Sequence, residues 1–281
     1  MNSENNNKNL SLNCKGQLID LSTPKVMGIL NITPDSFYDG GQFKDSKSIL
    51  AQAEKLILEG ATFLDIGAYS SRPGADFVSE NEELQRIVPV VELIVECFPE
   101  ILISIDSFRA NVIRECANAG AVISNDISAG HLDHEMMKTV GELGIPYIMM
   151  HMRGTPQTMQ TLTNYEHIIN EVYTYYSERI QLAKQHHIMD VIIDPGFGFA
   201  KTLSQNYELL GKLEFFQNLN CPILCGVSRK SMIYKILNCT PKEALNGTTA
   251  LNMLSLMNGA NILRVHDVKE AIECVKLFNQ I

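Results

Sequence analysis

Asp106, Asn125 and Asp194 each close a short run of aliphatic residues, and Lys230 follows another such run by a few positions. Two carboxylates, an amide and an ammonium drawn from such places suit a flat heterocycle with an amidine-like edge, because one carboxylate accepts two parallel N–H bonds. The same acids also suit a divalent cation. A second group is cationic. Ser228-Arg229-Lys230-Ser231 reads as a helix start, where backbone donors favour anions, and Arg264 and His266 are spaced to face one side of a strand. Arg72, in the turn Ser70-Ser71-Arg72-Pro73-Gly74, could close this group from above. Phosphate or diphosphate is the chemistry such a cluster serves, and pairing with helix acids is the competing use of the same charges. The full series of polar run-ends is Asn31, Asp65, Asp106, Asn125 with Asp126, His151, Asp194, Ser228 to Ser231, and Arg264 with His266. Each alone reads as a helix cap or turn residue; their convergence on one rim reads as a site.

The elements that must position these residues follow from hydrophobic spacing. After Pro24, aliphatic runs alternate with stretches in which apolar residues recur every three or four positions, the signature of βα units. Strands are expected over 25–31, 62–67, 101–106, 121–126, 146–151, 190–194, 222–227 and 260–265. Leu84, Ile87, Val88, Val91, Ile94, Val95 and Phe98 give a helical stripe, and 164–187 reads as a long helix after the loop 153–160. The fold class is therefore α/β, a (β/α)8 TIM barrel rather than an open doubly wound sheet, with active-site residues at the C-terminal strand ends. Ahead of it, 10–21 alternates around Lys15-Gly16 as a short N-terminal β-hairpin that plugs the barrel floor. Residues 1–9 are expected as a disordered tail and 10–281 as one domain. Two Gly-containing segments, 33–41 and 68–75, read as lids. Gly196-Phe197-Gly198-Phe199 supplies aromatic faces for a planar ligand but does not complete a dinucleotide fingerprint.

Composition narrows the partners. The 281 residues are 45% hydrophobic and 20% charged, a globular balance, and a net charge of -9 opposes general attraction to nucleic acid or an anionic membrane. No apolar run is long enough for a membrane span, and the first residues lack a secretory leader. The seven cysteines form no metal or redox spacing and read as reduced thiols of a cytoplasmic protein. His134-Glu135 starts like a zinc helix, but Lys138 stands where the second histidine belongs.

Eight motifs in order, Asn31-Ile-Thr-Pro-Asp-Ser-Phe, Asp65-Ile-Gly with Ser71-Arg-Pro-Gly-Ala, Ile105-Asp-Ser, Asn125-Asp-Ile, Met150-His-Met with Gly154-x-Pro, Asp194-Pro-Gly-Phe-Gly-Phe, Ser228-Arg-Lys-Ser and Arg264-Val-His-Asp-Val, resemble the dihydropteroate synthase family. The resemblance implies a barrel enzyme of folate synthesis that joins 6-hydroxymethyl-7,8-dihydropterin diphosphate to 4-aminobenzoate and releases diphosphate by an SN1-like displacement. It implies that Asp106, Asn125, Asp194 and Lys230 hold the pterin, with Phe199 and Met149 or Met150 lining the slot. Asn31 would bind Mg2+ on the diphosphate, which Arg72, Arg264 and His266 grip. Ser71, Ser231 and Phe199 would border the aminobenzoate, with Asp35, Lys230 and Arg72 as catalytic residues. A homodimer is implied too. The chain departs from the family pattern at Ala68 and Tyr69, the latter where an acid is common, and at Ala200, where Gly is common. A methyl-transferring pterin barrel and a catalytically dead pterin-binding scaffold are the competing readings; the first needs no diphosphate clamp, so Arg72, Arg264, His266 and the Ser228 to Ser231 run argue against it, and Asn31, Asp35, Arg72 and Lys230 together weigh against the second.

Overall fold

Every aliphatic run singled out by spacing forms a strand. The computed structural model describes residues 10–32, 42–69 and 78–281. An antiparallel hairpin of β1 (Ser11–Cys14) and β2 (Gln17–Asp20) precedes eight parallel strands. These are β3 (Lys25–Asn31), β4 (Phe63–Gly67), β5 (Leu102–Asp106), β6 (Ile123–Asp126), β7 (Tyr147–Met150), β8 (Val191–Asp194), β9 (Leu224–Cys225) and β10 (Ile262–Val265). Helices α1 (Gln42–Leu58), α2 (Glu80–Cys97), α3 (Ala110–Asn118), α4 (Met136–Leu143), α5 (Ile168–Gln185) and α6 (Leu203–Gly211) follow β3 to β8 in turn. β9 is followed by α7 (Ser231–Leu237) and α8 (Leu245–Met257), and β10 by α9 (Val268–Phe278).

The strands lie in the order β8-β7-β6-β5-β4-β3-β10-β9, and a parallel bridge between Ile193 and Ile223 joins the two ends. The barrel expected from the sequence is thus formed. β9 is shorter than its expected run because Pro222 has no N–H to give the ladder and Gly226 weakens the strand beyond Cys225.

Strand alternation sorts the side chains into layers. The lowest inward layer is apolar, one residue per strand from Met27 and Phe63 round to Leu224 and Ile262, and it packs with Leu12, Cys14, Ile19 and Leu21 of the hairpin. The hairpin plugs the floor as expected. Outward residues such as Val26, Leu64, Ile66, Ile103 and Ile105 meet the helices in the main core. In α2, Ile87, Val90, Val91 and Ile94 form the buried stripe, and the Ser79 hydroxyl caps the helix by accepting the Glu82 N–H. Two residues further along the strands, the inward layer turns polar: Asp65, Ser104, Asn125, Asp194 and Arg264. A dry floor thus lies beneath a charged mouth. Among the described residues no helix is long and apolar enough to cross a membrane.

Candidate active site

Asp65 is the hub of the polar layer. Fully buried, it accepts from the Ser104 hydroxyl (2.7 Å), the Asn125 amide (3.0 Å) and Arg264 Nε (2.6 Å). Arg264 spans to the next carboxylate, donating through Nη2 to Asp106 at 2.7 Å. Burial opposes the charge on Arg264, but Asp65 and Asp106 outweigh it and hold the guanidinium above its ordinary pKa. The sequence placed Asp65 on the rim without a role; alternation with Phe63 was the signal that it faces inward.

Asp194 and Lys230 form the second half. Asp194 ends β8, accepts the Gly196 N–H at 2.9 Å, and has its own carbonyl held by the buried Tyr176 hydroxyl. Lys230 Nζ donates to the Phe197 carbonyl at 2.6 Å and lies 5.0 Å from the Phe199 ring centroid. Burial brings the Lys230 ammonium down to about 8, with Asp194 opposing. Burial also raises Asp194, against the pull of Lys230, and pushes Asp106 up to about 7, against the pull of Arg264. Three carboxylates therefore face two cations, and an Asp106 that titrates near neutrality can accept from or donate to a heterocycle nitrogen. Met150, Ile127 and the partly exposed Phe199 supply an apolar wall beside this edge.

The remaining expected residues divide by orientation. His266 lies at the rim, where its backbone N–H donates to the Ser228 hydroxyl (3.2 Å) and Nδ1 stands 3.0 Å from the same oxygen. The Ser228 hydroxyl thus fixes the orientation of the His266 ring at the rim. Asn31 ends β3 with an exposed side chain, and Ser231 opens α7 half-buried. Met149, expected at the slot, turns outward into the main core by strand alternation, and Met150 takes the inward place. Arg229, part of the expected cationic run, is turned to Asp267, with contacts of 2.9 and 2.5 Å, so Lys230 alone represents that run at the mouth. Asp126 and His151 also face away: Asp126 receives the N–H groups of Ser128 and Gly130 and the Tyr147 hydroxyl. Asp35, Ser71 and Arg72, with most of both lids, lie outside the described residues. Tyr69, unexplained by sequence, stacks edge-on against Phe108 at 5.3 Å, and its hydroxyl accepts from Gln157 at 3.3 Å, tying three βα loops together.

Comparison with known proteins agrees with this geometry. The family model described as "Pterin binding enzyme" matches residues 27–266. Dihydropteroate synthase of Escherichia coli (strain K12) is 46% identical, over 95% of this chain and 95% of its own. That of Haemophilus influenzae is 42% identical over 96% and 98% of the two chains. Among solved structures, Yersinia pestis dihydropteroate synthase in a sulfonamide drug complex superposes with a TM-score of 0.90 at 40% identity, covering 96% of this chain and 98% of that one. The Xanthomonas albilineans synthase with 4-aminobenzoic acid gives 0.89 at 36% identity over 97% and 98%. With the motifs in order, the barrel closed and the acids facing its mouth, the chain belongs to the pterin-binding enzyme family and, within it, to the dihydropteroate synthases, enzymes of folate synthesis.

Proposed function

We propose that the chain condenses 6-hydroxymethyl-7,8-dihydropterin diphosphate with 4-aminobenzoate to give 7,8-dihydropteroate and diphosphate, by an SN1-like displacement. The observation that carries this reading is the inward layer in which Asp194, Asn125, Asp106 and Lys230 share one mouth with Arg264. Asp194 accepts from the 2-amino and N3 edge of the pterin, Lys230 donates to a ring acceptor, and Met150 and Phe199 line the flat faces. Arg264 keeps one terminal amino group beyond its bonds to Asp65 and Asp106, and with His266 it grips the diphosphate. Arg72 and Asp35 join the catalytic set, and Ser71, Ser231 and Phe199 border the aminobenzoate.

The bond between the exocyclic methylene and the diphosphate oxygen breaks with both electrons leaving on oxygen, where Arg264 and His266 stabilise the growing charge. The electron-rich ring shares the cation left on the methylene. The aniline nitrogen then forms the C–N bond and its surplus proton passes to solvent, so no strong general base is needed.

Asn31 fits a Mg2+ ion bound with the substrate. It is an exposed oxygen donor at the strand end, and the described residues contain no cluster of three acidic, His or Cys side chains that would cage a metal by itself. Magnesium keeps several waters and draws its other ligands from phosphate oxygens, so a single protein ligand is in keeping with its habits. When bound there it supplies neutralisation of the departing diphosphate. A cytoplasmic homodimer completes the reading, supported by the cysteine usage and the family resemblance.

The dissociative step is tested with substrate carrying oxygen-18 at the bridging position. Incubation without 4-aminobenzoate should scramble the label into non-bridging positions in recovered substrate. Retention of the label at the bridge, alongside normal turnover when the aniline is added, contradicts a dissociative path.

A further inference from the structure

We propose that Lys201, which does not face the mouth, is a positioning residue for the pterin site: its buried ammonium ties the loop after β8 to the end of β7 and so fixes Lys230 and the Phe199 ring. The inference rests on the pterin-binding reading above. Lys201 is 6% exposed, and Nζ has four acceptors around it: His151 Nδ1 (2.9 Å), the His151 carbonyl (3.3 Å), the Gly196 carbonyl (3.0 Å) and the Phe199 carbonyl (2.9 Å). An ammonium has three hydrogens to give, so a buried one can remain charged only where the backbone is folded round it in this way. Burial holds its pKa well below the ordinary lysine value, with Asp194 opposing, and burial also holds His151 well below its own.

Two of those carbonyls bracket the residue that touches the site. Between Gly196 and Phe199 lies Phe197, whose carbonyl receives Lys230 Nζ, and Phe199 presents its ring to the same ammonium. One lysine thus shapes the loop from outside the barrel and the other reads its shape from inside. The loop cannot make this shape by itself at low cost. Gly196 has a φ of +68 and Gly198 of +83, and Ala200 holds +48, where a side chain is disfavoured. Gly196 also lies so close to β7 that an added Cβ would fall 2.1 Å from the His151 carbonyl oxygen. Without the ammonium, the converging carbonyl oxygens would face one another unpaired, and the loop would relax away from the strand end.

The test compares Lys201→Met and Lys201→Gln with Leu12→Ala, a core truncation at the opposite end of the barrel. Calorimetry with a bare pterin and steady-state kinetics are run at a temperature where circular dichroism shows each variant folded. Lys201→Met should weaken pterin affinity and raise KM for the dihydropterin diphosphate by about tenfold to a hundredfold, with a smaller change in kcat. Lys201→Gln, which keeps two N–H donors, should fall between it and the wild type, and Leu12→Ala should leave affinity and KM unchanged. Wild-type affinity and KM in Lys201→Met, or equal losses in Leu12→Ala, overturn the proposal. If Lys201→Met does not fold, Lys201→Gln decides by the same criterion. A wild-type chain that binds pterin without turnover sinks the synthase reading and leaves the calorimetric comparison to decide Lys201; one that binds no pterin overturns both.

Discussion

At neutral pH Asp106 and Lys230 stand close to their own titration points, the first raised to about 7 and the second lowered to about 8, in both cases chiefly by burial. As pH falls through 7, Asp106 gains a proton and Arg264 loses one of its two carboxylate partners. As pH rises through 8, Lys230 loses its charge beside Asp194. Because kcat/KM reports the unliganded protein, its profile should be a bell with its maximum between about 7 and 8. Lys230→Arg, whose guanidinium stays charged, should remove the alkaline limb and leave the acid limb in place; a profile flat from about pH 6 to 9 in the wild type contradicts these assignments. Most residues of this mouth were legible from the sequence as polar ends of apolar runs. What the runs alone did not settle was facing. Alternation assigns Asp65 and Met150 inward and Met149, Asp126 and His151 outward. The diversion of Arg229 to Asp267 was beyond such reading, because it depends on two loops separated by a helix pair.

Among the elements, the loop from β8 to α6 carries the most local constraint. Gly196→Ala would set a Cβ 2.1 Å from a backbone oxygen at a positive φ, and it should cost about 2–4 kcal/mol in urea unfolding and weaken pterin binding. Ala200→Gly should be nearly neutral. Relief of about 1 kcal/mol of left-handed strain is offset by the lost burial of a methyl in the Met150–Met159 cluster and by the added freedom of glycine in the unfolded chain. A loss above about 2 kcal/mol in Ala200→Gly would show that methyl packing outweighs strain there. This contrast accounts for the departure at Ala200: the site tolerates alanine because its Cβ has apolar company. Helix and strand positions were legible to within a few residues, since spacing fixes them. β9 was misjudged in length, because ladder pairing at Pro222 and Gly226 depends on its neighbours and not on its own hydrophobicity.

Over the whole molecule, stability and chemistry sit at opposite ends of the barrel. The hairpin buries Leu12, Cys14, Ile19 and Leu21 against the apolar floor, a layer away from the charged mouth. Leu12→Ala should therefore lower unfolding free energy by about 2–4 kcal/mol while leaving KM for both substrates unchanged in the folded fraction; a raised KM would show that floor and mouth are coupled. The barrel was legible because eight βα units in sequence leave few alternatives, and the ordered motifs pointed to the family. The central claim is the condensation itself, and diphosphate release with Mg2+ and dihydropterin diphosphate, with and without 4-aminobenzoate, tests it most directly. The account predicts that release depends on the aniline and is matched mole for mole by dihydropteroate; pterin binding with no release of diphosphate when the aniline is present would contradict it.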